Sequence, residues 1–273
     1  MDTETRSEAA RALLSAHRTG EPIDPLTECF PGLDVDDAYA IQTAQVEQWV
    51  RDGAVVKGHK VGLTAPAMQR QLGVDQPDFG HLMDTMFHLE SRPIDPSAFL
   101  APRVEPEIAF VLGKPLSGPG VTVAEAAAAV DFVLPALEII DSRVRDWRIT
   151  LVDTVADNAS SGGVVLGSTA LPLSRVDVRR AGAVLYRNGE IVGTGALGVV
   201  LGSPLNALVW LANTLGARGV TLQPSQLVLP GSVTAAVPVT AGDVVTATFA
   251  GLGSVTARFA KLATAVSEKG TTT

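Results

Sequence analysis

Arg103-Val104-Glu105-Pro106-Glu107-Ile108-Ala109-Phe110 is the stretch on which the reading of the chain turns. Side chains alternate along a strand, so Glu105 and Glu107 share one face while Val104, Ile108 and Phe110 take the other. Two acids therefore project from an element whose reverse side is anchored in a core. Pro106 has no N–H for a sheet ladder, which predicts an edge strand or a bulge. Downstream, Thr122-Val123-Ala124-Glu125 is a capping-box pattern opening an alanine-rich helix over 126–130, and Ala136-Leu137-Glu138-Ile139-Ile140 reads as the next strand. Glu138 stands alone among apolar neighbours. A strand, helix, strand order often returns the second strand beside the first, which would bring Glu138 to Glu105 and Glu107.

Three carboxylates at roughly 4 Å repel by about 4 kcal/mol per pair at an effective dielectric near 20. Either one of them protonates or a cation sits among them. With no His or Cys nearby, an all-oxygen set favours Mg²⁺ or Mn²⁺, admits Ca²⁺ and disfavours Zn²⁺. The competing reading is a solvated Glu-x-Glu face with Glu138 paired to an arginine such as Arg143. Spacing alone leaves both open.

Outward from this segment the pattern is α+β. Residues 5–17 and 35–51 carry apolar side chains at helical spacing, and Pro22, Pro25, Pro31 and Gly32 mark the loop between them. Ala54–Val61 is strand-like, and 206–215 is helix-like and compatible with a subunit interface. The closing third reads as antiparallel strands at 227–229, 233–239, 244–249 and 255–259, joined by tight turns. The expected organisation is a helical N-terminal region, 1–53, on a β-rich catalytic core, 54–273, forming one cooperative unit. No fixed-period repeat is present, and the polar tail 267–273 reads as frayed.

Composition narrows the partners. Of 273 residues, 21 are Lys or Arg and 29 are Asp or Glu, a net charge of −8, which argues against nucleic acid and anionic membranes. An anionic substrate then needs a local cation. Cys29 is the only cysteine, so no intrachain disulfide is expected. The N-terminus is unlike a secretory signal and no apolar run reads as a membrane span, so cytoplasmic residence is the expectation. His17, His59, His81 and His88 read as structural or surface residues and Trp147 as packing. The stretch 198–202 lacks the glycine spacing and lysine of a nucleotide loop.

Several longer motifs carry a family resemblance: Lys60-Val61-Gly62-Leu63-Thr64, Gln71-Leu72-Gly73-Val74-Asp75-Gln76-Pro77-Asp78-Phe79-Gly80, the Glu105-Pro106-Glu107 strand, Leu134-Pro135-Ala136-Leu137-Glu138, Ser142–Trp147 and Asp153–Ser160. With these the chain resembles, over nearly its whole length, the 2-hydroxypenta-2,4-dienoate hydratases of the fumarylacetoacetase superfamily. The resemblance implies a mixed, rolled β-sandwich with peripheral helices, a homo-oligomer, and Mg²⁺ or Mn²⁺ held by Glu105, Glu107 and Glu138. It also implies a hydro-lyase of aromatic meta-cleavage catabolism that turns 2-hydroxypenta-2,4-dienoate into 4-hydroxy-2-oxopentanoate, with a possible complex with pathway enzymes. Lys60 and Asp78, the latter in a Gln-Pro-Asp-Phe-Gly loop, are the candidate acid and base groups, and Ser160 a candidate hydrogen-bond donor to the substrate carboxylate. Similar 2-oxo-3-hexenedioate decarboxylases share the metal segments, and a non-catalytic partner subunit would have lost the glutamates or Lys60. Residues 65–70 lack the His and Glu pair of acylpyruvate hydrolases. Gln223-Pro224-Ser225-Gln226 departs from the Gly-Asp turn common in the hydratases, which puts that turn's geometry in question.

Overall fold

The acidic strand lies inside a sheet, not at its edge. The computed structural model describes residues 1–66, 69–70 and 73–261. Motif residues Gln71 and Leu72, part of the 65–70 stretch and the 267–273 tail fall outside them. Helices α1 (Thr3–Thr19), α2 (Leu26–Cys29) and α3 (Val35–Arg51) precede strands β1 (Val56–Gly62), β2 (Asp78–Met83), β3 (Phe87–Leu89) and β4 (Arg103–Leu112). Helix α4 (Val123–Ala129) runs straight into β5 (Val130–Ile140), and α5 (Leu151–Ala156) precedes β6 (Ser161–Leu166). Then come the hairpin β7 (Gly182–Arg187) and β8 (Glu190–Ala196), helix α6 (Pro204–Gly216), β9 (Leu227–Leu229), β10 (Val237–Pro238), β11 (Val244–Phe249) and β12 (Gly253–Arg258).

The first sheet runs β2-β1-β9-β4-β5-β6-β3, with β10 also paired to β4. It is mixed: β1 meets β9 and β3 meets β6 in parallel, while its other pairs are antiparallel. The second sheet, β12-β11-β7-β8, is antiparallel and packs through β11 and β12 on β5. Val104, Ile108 and Phe110 join Leu137, Ile139, Val245, Phe249 and Val255 in one core, as the alternation predicts. Each such fully buried side chain contributes about 1.5–3 kcal/mol. That core holds the back of the acidic strand rigid.

Pro106 has a different explanation from an edge. A residue's N–H and C=O point to the same side of a strand, and the Pro106 carbonyl accepts from Val233 N at 3.2 Å. The missing N–H thus faces the β9–β10 connection, not β5. That connection also shortens the strand expected at 233–239 to Val237–Pro238, because the Gly231 and Val233 amides go to Glu107 and Pro106 instead of to a ladder. The turn at 223–226 closes with Ser225 left-handed (φ 66°) and the Gln226 side chain accepting from Gln223 N.

Helix α1 starts on an Asp2 cap and stops at left-handed Gly20, and α3 starts on an Asp34/Asp37 capping box. From α3, Gln42 donates to the carbonyls of Phe79 and Val155, and Gln45 to that of Ala156. The N-terminal helices are thereby bonded to β2 and to the end of α5. Asp153 adds a second tie by accepting from Thr27 N and Oγ1. Helix α6 spends one apolar face on the chain's own core, burying Ala207, Leu208, Leu211, Ala212 and Leu215, while Leu205, Val209 and Trp210 remain partly exposed. Contrary to the sequence reading, Leu197–Gly216 reaches a span's length and composition at 20 residues, yet only 13 of them form α6. Thirteen residues are too short to cross a bilayer.

Arg143 is buried, and its Nε meets Asp157 Oδ1 at 2.6 Å while Nη1 and Nη2 donate to the carbonyls of Ser161 and Asp157. Burial still lifts the Asp157 pKa to about 6 against the pull of Arg143. Glu138 is therefore not its partner. We propose that residues 1–53 and 54–273 unfold together, so urea should give one transition. Arg143→Leu leaves a buried carboxylate unpaired and should lower stability by about 3–5 kcal/mol, read from the shift in urea midpoint.

Candidate metal centre and active site

The antiparallel register sets Glu105 directly opposite Glu138, with Glu107 one diagonal away against Ala136. All three share a face, and one ligand atom from each lies within 4.8 Å of the others. Glu107 and Glu138 are buried and Glu105 half-buried. Glu107 Oε2 accepts from Gly231 N at 2.8 Å, whereas neither oxygen of Glu138 accepts a well-formed hydrogen bond from a described residue, its close neighbour being the Lys60 ammonium beside Oε1. Buried carboxylate oxygens with no donor are costly unless a cation completes them. Gly231 sits at φ 124°, and a Cβ there would collide with the Thr64 side chain, so the amide reaches Glu107 only because the residue is glycine.

Lys60 enters from β1, opposite Leu229 of β9. Its Nζ lies 3.3 Å from Glu138 Oε1 and donates to the Ala159 carbonyl at 2.9 Å. Burial disfavours the ammonium, but Glu138, Asp78, Glu105 and Glu107 together outweigh it and raise its pKa. Lys60 is thus a held charge, not a snorkelling surface lysine. Asp78 begins β2 opposite Gly62, and not in the loop read from sequence. A Cβ on Gly62 would overlap the Asp78 carboxylate, so glycine again makes the space. Asp78 Oδ1 is buried without a hydrogen-bond partner among the described residues, and burial raises the Asp78 pKa despite Lys60.

Ser160 closes a run of three left-handed residues, Asn158, Ala159 and Ser160, with φ of 51°, 52° and 56°. Each costs about 1–2 kcal/mol for an L-residue, so the run persists only because it is tied on all sides. Asn158 bonds both the N–H and the C=O of His81, Lys60 holds the Ala159 carbonyl, and Asp141 N donates to the Ser160 carbonyl. The Ser160 hydroxyl shares a 2.9 Å hydrogen bond with Thr154 Oγ1.

Lys60, Asp78, Glu105 and Ser160 all line one cavity of about 490 Å³, together with Arg103 and Trp147. Sequence reasoning missed Arg103, although its place two residues before Glu105 puts it on the same face. It also read Trp147 as packing alone: its Nε1 does anchor to the Ala101 carbonyl, but the ring carries the Arg103 guanidinium at 4.3 Å and faces the cavity. The four carboxylates Glu105, Glu107, Glu138 and Asp78 outnumber the two cations beside them, Lys60 and Arg103, and Asp146 adds another acid to the cavity lining. Burial also pushes His59 well down and His81 to about 4, so both are neutral. His81 meets Gln42 at 3.1 Å behind β2, a structural role as expected. A hollow of about 560 Å³ beside His17, Trp49, Met83 and Met86 is lined by Asp52 and Asp84 but by none of Glu105, Glu107 and Glu138.

Fold and site together define an α+β protein with a cation-ready carboxylate cleft on a mixed sheet. The chain belongs to the fumarylacetoacetate (FAA) hydrolase C-terminal family, whose pattern matches residues 60–260. The 2-keto-4-pentenoate hydratase of Paraburkholderia xenovorans (strain LB400) is 47% identical over 259 residues, 95% of this chain and 96% of that one. The 2-oxo-hept-4-ene-1,7-dioate hydratase of Escherichia coli is 38% identical over 94% of this chain and 99% of its own. Among solved structures, a 4-oxalocrotonate decarboxylase from Pseudomonas putida G7, complexed with magnesium and adipate, superposes with a TM-score of 0.92 at 37% identity, covering 95% of this chain and 98% of that one.

Burial and mutual repulsion lift the Glu105 pKa from 4.5 to about 7, and those of Glu107 and Glu138 also rise. The folded state then holds these protons more tightly than the unfolded chain, so ionisation favours unfolding. In chelator, the melting temperature should fall as pH climbs from 4.5 to about 7. Gly231→Ala should weaken Mn²⁺ binding at least tenfold by moving the amide off Glu107, measured by titration calorimetry.

Proposed function

We propose that this chain is a divalent-metal-dependent hydro-lyase that adds water to 2-hydroxypenta-2,4-dienoate, or a close analogue, giving 4-hydroxy-2-oxopentanoate in meta-cleavage catabolism of aromatic compounds. The observation that carries the reading is full-length similarity, at 47% identity, to a 2-keto-4-pentenoate hydratase. Glu105, Glu107 and Glu138 would hold Mg²⁺ or Mn²⁺, and the donor set fits: all oxygen, mutually within 4.8 Å, with neither Glu138 oxygen accepting a well-formed hydrogen bond from a described residue. The bound ion supplies a Lewis acid for the substrate's 2-oxygen and a template for its carboxylate.

The chain's own groups handle protons and position. Lys60, kept charged by the surrounding acids, donates toward the substrate's oxygens. Asp78, with its raised pKa and free Oδ1, can hold a proton or take one from the 2-hydroxyl or from water. Ser160 and Thr154 share one hydroxyl hydrogen bond, leaving a second hydroxyl hydrogen to aim at the substrate carboxylate. Net chemistry places water's proton on the terminal carbon of the diene and its hydroxyl on the fourth carbon, while the proton of the 2-hydroxyl ends on the third carbon as the 2-oxygen becomes a ketone. The remaining parts of the reading are a cytoplasmic homo-oligomer, able to associate with pathway enzymes, that acts on a small 2-oxo or 2-hydroxydienoic acid and not on nucleic acid or membrane. The net charge of −8 is consistent with this.

A second reading, decarboxylation of a 2-oxo-3-enedioate, is favoured by the 0.92 TM-score to the decarboxylase. It breaks a carbon–carbon bond on the same site and releases carbon dioxide. Metal-stripped protein given fresh 2-hydroxypenta-2,4-dienoate should form 4-hydroxy-2-oxopentanoate only after Mg²⁺ or Mn²⁺ is added, followed by loss of dienol absorbance and by NMR. Glu105→Gln and Glu138→Gln should each lower activity and metal affinity at least a hundredfold while remaining folded. Full activity and metal affinity in both would sink the metal-site reading, and carbon dioxide from an enedioate without hydration would select the decarboxylase.

A further inference from the structure

Arg103 stands on the face of β4 that carries Glu105 and Glu107, and it lines the same cavity. Strand geometry places its Cα roughly 7 Å from that of Glu105. Its guanidinium lies over the Trp147 ring at 4.3 Å, and no side-chain hydrogen bond or ion pair to a described residue accompanies that stack. Trp147 is itself fixed by its Nε1 bond to the Ala101 carbonyl, so it is a pinned platform. Stacking sets the plane of a guanidinium and leaves its N–H edge free, the geometry that matches a carboxylate fork to fork. The Arg103 charge reaches the centre, where it pulls against the rise in the Glu105 pKa. Asp146 lines the cavity too, but forms no ion pair with Arg103 among the described residues.

The other cation is already committed. Lys60 is shared between Glu138 and the Ala159 carbonyl, and four carboxylates surround it. A substrate carboxylate entering this acid-rich cleft gains from a further positive group, and beside the partly engaged Lys60 the described cavity lining offers Arg103, whose side-chain donors meet no described residue. Building on the 2-oxo acid reading above, we infer that Arg103, held on the Trp147 ring, is the residue that binds the carboxylate adjoining the 2-oxygen of the substrate. It acts as a specificity determinant for acids over uncharged analogues, and Trp147 positions it.

The test is binding without turnover, on Mn²⁺-loaded full-length protein, using 2-oxopentanoate, 2-oxopentanamide and adipate as probes in calorimetry. Arg103→Gln should weaken 2-oxopentanoate about ten- to hundredfold, leave amide binding unchanged without weakening Mn²⁺, and raise KM more than it lowers kcat. Arg103→Lys, a point charge without the fork, should recover part of the acid binding, and Trp147→Phe should keep more of it than Trp147→Ala. Acid and amide weakening in parallel, undiminished acid binding in Arg103→Gln, or weakening confined to adipate would each overturn the assignment. So would a wild-type protein that binds 2-oxopentanoate no better than its amide. Failure of the hydration reading would show differently, as intact acid binding with no 4-hydroxy-2-oxopentanoate formed.

Discussion

Four acids sharing one buried space is the constraint on which the rest of this structure depends. Like charges opposite one another on neighbouring strands repel, and here Glu105 faces Glu138 with Glu107 and Asp78 close by. The fold answers by crowding compensation into the gaps. Lys60 is drawn across from β1, the Gly231 amide is turned onto Glu107, and glycine at 62 clears room for Asp78. None of these devices matches the acids in number, and burial raises the pKa of all four carboxyls. On the proposed reading, a divalent cation would complete the balance.

The backbone that holds this arrangement is itself under strain, and the ties around it explain why the strain survives. The left-handed run 158–160 is clamped by Asn158 to β2 and by Arg143 to the segment before it through Asp157. Gln42 and Gln45 extend the clamp to α3, so a helix far from the cleft in sequence supports the strand that bears Asp78. Residues that never touch substrate thereby set the aim of those that do.

What could be read in advance followed the range over which the signals act. The alternation in β4 and the lone acid in β5 are local patterns, and antiparallel neighbours close together in sequence turned them directly into the carboxylate cluster. The helices at the N-terminus were equally legible, because capping and periodicity are written within a few residues. Lys60 and Asp78 could be singled out only through a family resemblance, since their approach depends on β1 lying parallel to β9, which lies more than 160 residues downstream. The edge expected at Pro106 was misjudged for a related reason: the side toward which its missing N–H points is set by a distant loop. Arg103 was within reach of the same alternation rule that found the glutamates, but its acidic neighbours drew the attention. Trp147 owes its place to two consecutive left-handed residues, for which the sequence Asp146-Trp147 carries no glycine signal.

The long β4–β5 pairing also bears on how the chain assembles. These strands are joined by a short segment and one brief helix, so their contact is among the more local in the sheet and closes at low entropic cost. It brings Glu105 and Glu138 face to face on its own, whereas the ammonium that relieves them must arrive with β1 through pairings of much longer range. If the more local pairing forms first, electrostatic opposition is met before its remedy. Protons or a divalent ion captured by the nascent hairpin would lower that barrier, so the ion that serves the finished site would also serve as a folding aid.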